Sequence, residues 1–388
     1  MKKYLILAAS AVAVLAACAK VETYQNTNEE NAILFGAYSG KAAITKASPI
    51  SNVDSLAKQG GFGVFAFYTG NQDYSATATP NFMYNQNVTS SDNGATWTYT
   101  PLKYWPNNDS STTNGEATWT DKISFFAYAP YVEATVATGA TANTVGITEF
   151  KGNAAAGDPT VKYVVATDPA ESVDFLYNDA DLANLTKQAV TGKVTFNFKH
   201  ALTRLAVTVQ GVFDSTTAPS TDDVDANTKI YVDSLEITTA ATIPASGIFN
   251  LNTKQWDTTG ADEATLAIGD NIPESLQSPN AGVTKEEVSL IKPSATDAAQ
   301  YFMFIPNDAA QEYNFYIKYT VITTDANLDG GKSEIVNRIT KKASIKFEAG
   351  KSYTIKLELG MTTVKLAATV EDWTDAAAQD PIWLPINQ

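Results

Sequence analysis

One cysteine and one histidine in 388 residues leave little room for metal or thiol chemistry. A Cys/His zinc site, a disulfide framework, a Cys–His nucleophilic pair and a redox dithiol each need more of these residues than the chain holds. A Ser–His–Asp arrangement would have to use His200, and no G-x-S-x-G elbow accompanies it. Basic residues are also scarce. Twenty-seven Lys+Arg stand against 42 Asp+Glu, a net charge of −15, so nothing favours a phosphate backbone and no nucleic-acid partner is expected. No phosphate-cradling glycine motif occurs, and no cofactor is expected. No stretch after residue 17 reaches 18 uninterrupted apolar residues, so none reads as a membrane-spanning helix. No period of 20–50 residues repeats, which argues against solenoids and propellers.

What is present is a signal segment and a body rich in alternating strands. Lys2 and Lys3 precede an apolar run at 4–17, too short to span a bilayer, that ends Leu15-Ala16-Ala17-Cys18. Small residues directly before the sole cysteine resemble a bacterial lipobox, in which Cys18 is acylated and residues 1–17 are removed. The alternative is a free core cysteine behind an ordinary signal peptide. One acyl chain at ~0.8 kcal/mol per CH₂ binds marginally, so stable anchoring takes two or three. Residues 19–46 differ from the body of the chain: a polar tether at 25–31, then Ala32-Ile33-Leu34-Phe35, then a small-residue stretch containing Lys41 and Lys46.

From residue 63 onward the apolar residues fall two apart. Tyr313, Phe315, Ile317, Tyr319 and Val321 fill one parity of a run, as do Tyr353, Ile355, Leu357 and Leu359 in another. Such runs predict half-buried strands, separated by turn signals such as Asp92-Asn93-Gly94 and Asp329-Gly330-Gly331. Residues 301–305 are apolar on both parities and stop at Pro306, as a central strand would. Only 171–189 reads weakly helical. Val194, Phe196, Phe198, His200 and Leu202 hold the even parity, whereas Leu205, Val207 and Val209 hold the odd. That break predicts the chain crossing from one core to another at 200–205. The expected class is all-β, two tandem antiparallel β-sandwiches at 47–200 and 201–388.

Several residue groups carry two readings. His200 shares the apolar parity with Phe198 and reads as a core histidine rather than a general base. Asp325, Asn327 and Asp329, followed by Gly330, match the first half of a calcium loop. Position 12 holds Val336 where a bidentate Glu is needed, so a polar hairpin tip is the simpler reading. The acidic loop at 222–225 reads as solvated. Trp97, Tyr99, Tyr104, Trp105 and Trp119 suit either a sandwich core or a sugar platform.

Six stretches come in an order that is itself informative: FGVFAFY at 62–68, DKISFFAYAP at 121–130, FKHALTRL at 198–205, FMFIP at 302–306, AGKSYTIKLEL at 349–359 and VEDW at 370–373. The set, behind a lipobox, resembles the fimbrillin (type V pilin) family of Bacteroidales lipoproteins from Cys18 to about Trp373. The resemblance implies two transthyretin-like sandwiches, an outer-membrane lipoprotein precursor and a place in a cell-surface fimbrium. It also implies proteolysis after a basic residue that removes the first strand, making 18–46 a propeptide. Matching places that cut at Lys46-Ala47, where the family usually has Arg. The opened groove would take a strand from the C-terminal region of the next subunit. The expected partners are therefore other fimbrial subunits, the outer membrane through the lipid, and a host or bacterial surface receptor.

The far end offers a donor. Within 363–388, Val364, Leu366, Ala368 and Val370 line one parity, and Ile382, Trp383 and Leu384 add an apolar cluster. A tail packed on its own domain is the competing reading. The expectation is a structural and adhesive pilus subunit, not an enzyme; the alternative is a monomeric surface lipoprotein that binds glycans.

Overall fold

The computed structural model describes residues 31–39, 50, 52–106, 109–113, 116–212, 227–239, 243–269, 272–277, 282–291, 301–307, 309–361 and 363–373. Cys18, Lys46, Ala47, Ile382, Trp383, Leu384 and the acidic loop at 222–225 lie outside the described residues.

The first sheet orders six strands: β1 (Leu34–Tyr38), β10 (Lys193–His200), β9 (Leu176–Asn178), β6 (Lys122–Ala129), β2 (Phe62–Gly70) and β3 (Met83–Val88). A second runs β16 (Val288–Ser289), β11 (Thr203–Gly211), β20 (Lys351–Leu359) and β21 (Val364–Asp372), with β17 (Phe302–Phe304) also on β11. The third is β15 (Leu266–Ile268), β12 (Thr228–Thr239), β18 (Gln311–Thr324) and β19 (Lys332–Ile345). The fourth is β14 (Gln255–Asp257), β13 (Ser246–Asn250), β8 (Thr160–Val164) and β7 (Gly146–Phe150), and β4 (Asp109–Thr113) pairs only with β5 (Glu116–Trp119). The fold is an all-β sandwich, as its period-two patterning predicts.

That patterning maps onto burial. Tyr313, Phe315, Ile317, Tyr319 and Val321 of β18 are all buried, as are Tyr353, Ile355, Leu357 and Leu359 of β20. β2 is covered on both faces. Phe62, Val64 and Ala66 enter one cluster with Ile33, Phe125 and Phe196, while Phe65 and Phe67 enter a larger one with Phe126, Phe150 and Tyr163.

The chain crosses at 201–202, because β10 lies in the first sheet and β11 in the second. A purely sequential division at 200 does not describe every pairing, however. β8 lies before that point and β13 after it, yet they pair from Ser246↔Val164 to Asn250↔Thr160. Parity reports which face is buried and is silent on which strand is the neighbour. Most pairs are antiparallel, but β1–β10 and β11–β20 are parallel. Parallel partners need a long crossover, and each of these pairs is far apart in sequence.

The weak helix read at 171–189 is not there. The segment holds 3₁₀ turns at Pro169–Glu171 and Lys187–Ala189, with β9 between them. β9 is claimed by tertiary pairing, since Tyr177 and Leu176 are opposite residues of both β6 and β10. A helix not anticipated, α1 (Val53–Lys58), begins with a capping box in which Asn52 Oδ1 accepts from Ser55 N at 2.7 Å. A second, α2, spans Glu274–Gln277.

Candidate functional site

The alternation at 33–39 places Ile33 and Phe35 inward and leaves Leu34 and Tyr38 exposed. β1 lies at the edge of the first sheet, paired in parallel with β10 from Leu34↔Lys193 to Tyr38↔Asn197. Its other side meets the segment 97–105. Phe35 bridges to Trp97 and Ala32 to Tyr104. Ile33 N donates to Lys103 O and Trp105 N donates to Asn31 O, both at 2.9 Å. β1 therefore occupies a slot with backbone partners on both flanks.

The slot floor is aromatic. The Phe35 ring centroid lies 4.9 Å from Tyr99, 5.4 Å from Phe196 and 5.9 Å from Phe125. Burying Ile33 and Phe35 contributes about 1.5–3 kcal/mol each. Nearby, the Trp97 indole N–H and the Ser39 hydroxyl are buried with no hydrogen-bond partner among the described residues. Each such group costs about 1–3 kcal/mol relative to a satisfied one.

Tyr99 reports on occupancy. Its hydroxyl donates to Ile33 O at 2.7 Å, and burial pushes its pKa up to about 12. The unfolded value is about 10. A folded value above the unfolded one means that this contribution to stability is complete below pH ~10 and is lost as pH rises toward 12. Excising β1 should return the tyrosine toward its ordinary value. The check is the difference in tyrosinate absorbance between the native chain and Tyr99→Phe, before and after excision; an unchanged titration would mean that β1 does not bury Tyr99.

The aromatic group of the sequence divides. Trp97 and Trp105 are buried and Tyr99 is half-buried, all packed in the first-sheet core, whereas Tyr104 is exposed. Phe62 packs against Trp97 at 4.9 Å and Phe125 against Trp105 at 6.1 Å, centroid to centroid. These rings wall the slot. The Asp325–Asp329 stretch is the β18–β19 hairpin tip, where Asp325 Oδ1 accepts from both N and Nδ2 of Asn327 at 2.9 Å. Among the described residues no group of three or more His, Cys, Asp or Glu could hold a metal ion.

Val364, Leu366 and Ala368 are buried in their own domain, and Val370 is exposed. β21 pairs along its whole length with β20, from Lys351↔Asp372 to Leu359↔Val364. In this structure β21 completes its own sheet.

His200 is nearly buried. Its Nδ1 lies 3.0 Å from Oδ1 of Asp174, a residue that sequence reasoning missed. The signal was available: an acid between Val173 and Phe175 in an otherwise apolar stretch needs a partner if buried. The imidazole face stacks on Trp373, with centroids 3.9 Å apart. This arrangement anchors side chains from three segments of the chain.

A family model described as fimbrillin-like matches residues 45–373. The chain is 25% identical over 354 residues to fimbrium subunit Fim1C of Phocaeicola vulgatus, covering 85% of this chain and 86% of that protein. A crystal structure of a fimbrial protein from Bacteroides vulgatus has a TM-score of 0.63 at 23% identity, covering 89% of this chain and 100% of that one. The latter likeness is one of fold.

Proposed function

The chain belongs to the fimbrillin-like family, and we propose that it is a structural and adhesive subunit of a cell-surface fimbrium, assembled by strand addition. That family is one of structural fimbrial subunits rather than a class of enzymes. In this reading Cys18 carries the lipid that holds the exported precursor in the outer membrane. Cleavage between Lys46 and Ala47 then releases the first strand. A strand from another subunit takes the vacated slot, and a receptor on a host or bacterial surface is met by the finished fimbrium.

The observation that carries the reading is the position of β1. It is short, lies at a sheet edge, and fills a slot with backbone partners on both flanks and an aromatic floor. An open sheet edge is otherwise an aggregation hazard, and strand addition converts it into directed assembly.

The test treats purified precursor with a Lys-specific protease. Wild type should acquire Ala47 as its new N-terminus and form a ladder on unboiled SDS gels, while a chain carrying both Lys41→Ala and Lys46→Ala should stay monomeric, because a cut after Lys41 would release the same strand. Cut chains that begin at Ala47 and remain monomeric would refute strand addition.

A further inference from the structure

The strand that forms one wall of the slot, β10, ends at His200, and three distant segments converge there. Asp174 Oδ1 is bonded to the His200 imidazole, and Asp174 Oδ2 accepts the backbone N–H of Ile50 at 2.7 Å. The imidazole lies flat on the Trp373 indole, with planes within 2°. The Arg204 guanidinium lies 5.3 Å from that indole and 4.6 Å from the Tyr301 ring, and its Nε donates to Ser352 Oγ at 2.8 Å. Backbone bonds close the joint: Trp373 N donates to Gly350 O and Gly350 N to Leu202 O, both at 2.8 Å.

Trp373 directly follows β21, whose last residues lie largely at the surface. Val370 and Asp372 are exposed, yet Trp373 is buried. Its indole N–H has no hydrogen-bond partner among the described residues, so the ring is held by stacking and by the cation, not by its polar atom. His200 and Arg204 flank the crossing between the first and second sheets. They tie the end of β21 to the strand that seats β1.

We propose that the His200–Trp373–Arg204 stack is a positioning latch for assembly. It fixes the point at which the chain leaves β21, so that the segment following Trp373 is presented from a constant place relative to the subunit's own slot. Through Asp174 it also holds Ile50, which follows the proposed cut by three residues, at the same joint. The partner is a second copy of this chain. The inference rests on the strand-addition reading and predicts that donating and accepting can be separated: a subunit with a broken latch accepts a strand but does not donate one.

The test uses cut Trp373→Ala and Trp373→Phe chains, with amide exchange and ladder formation measured on each. Trp373→Ala should exchange about tenfold faster across 364–373 than wild type, form no ladder alone, and shorten the wild-type ladder severalfold when mixed in equal amount, because it caps growing ends. Trp373→Phe, which keeps a ring in the stack and leaves the His200–Asp174 bond intact, should form the ladder. Unchanged exchange in Trp373→Ala would mean there is no latch. Faster exchange with a normal ladder would leave the stack a purely structural contact and overturn the positioning role. Should Trp373→Ala not fold, Trp373→Phe decides: loss of ladder despite wild-type exchange overturns the inference. A wild type that forms no ladder refutes strand addition itself, a result distinct from wild type and Trp373→Ala forming equal ladders.

Discussion

Excision of β1 is expected to lower the melting temperature of the cut chain by on the order of 10 °C, and a synthetic peptide of residues 31–39 is expected to restore it in trans. Ile33 and Phe35 are both fully buried against the first-sheet core. At about 1.5–3 kcal/mol per side chain their loss removes roughly 3–6 kcal/mol, an upper estimate because unfolded chains already bury some apolar surface. Each kcal/mol shifts the melting point of a unit of 150–250 residues by about 2–4 °C. The peptide binds only the folded chain, so its effect grows with the logarithm of its concentration. A peptide carrying Phe35→Ala should rescue poorly, since it loses the ring that meets Tyr99, Phe125 and Phe196. Calorimetry of the cut chain with each peptide checks this. A melting point unaffected by excision, or equal rescue by both peptides, would show that the slot does not depend on its occupant.

Much of this was legible because period-two alternation has a single physical cause, one face in the core and one in water. Tyr313 to Val321, Tyr353 to Leu359 and the parity break after Leu202 all read correctly into burial. The apolar patch at 32–35 overlaps β1, although the strand runs on through Gly36 to Tyr38, where the apolar pattern gives no sign of it. Partner identity was not legible. That β13 pairs with β8 is decided by non-local packing, which leaves no trace in either strand's own pattern. The weak helix at 171–189 failed for the same reason, because β9 is recruited by β6 and β10. Asp174 was legible as an acid that needs a partner, but the partners themselves, His200 and Ile50, are distant in sequence and were not. The pairing of the motifs FKHALTRL and VEDW also gains a physical account: His200 and Arg204 of the first flank Trp373 of the second.

Two truncations of the C-terminal region should behave in opposite ways, and their contrast locates the donor. Deleting 363–388 removes β21 with Val364, Leu366, Ala367 and Trp373, all buried. Three of these are large, and at about 1.5–3 kcal/mol each their loss costs roughly 5–9 kcal/mol, comparable with the ~5–15 kcal/mol that stabilises a whole domain. It also strips β20 of the partner it holds over nine residue pairs and leaves a bare edge. The second sheet of that chain should unfold or aggregate. Deleting only 374–388 keeps the β20–β21 pairing and Trp373, so the second sheet should still fold. If the segment after Trp373 is the donated strand, this shorter deletion should still accept strands from wild type yet form no ladder alone once cut at Lys46. Size exclusion of the two cut chains, separately and mixed with wild type, provides the measurement. A normal ladder from the 374–388 deletion would exclude the Ile382-Trp383-Leu384 cluster as donor. The donated strand would then have to be β21 itself, leaving its own sheet at the energetic cost just described.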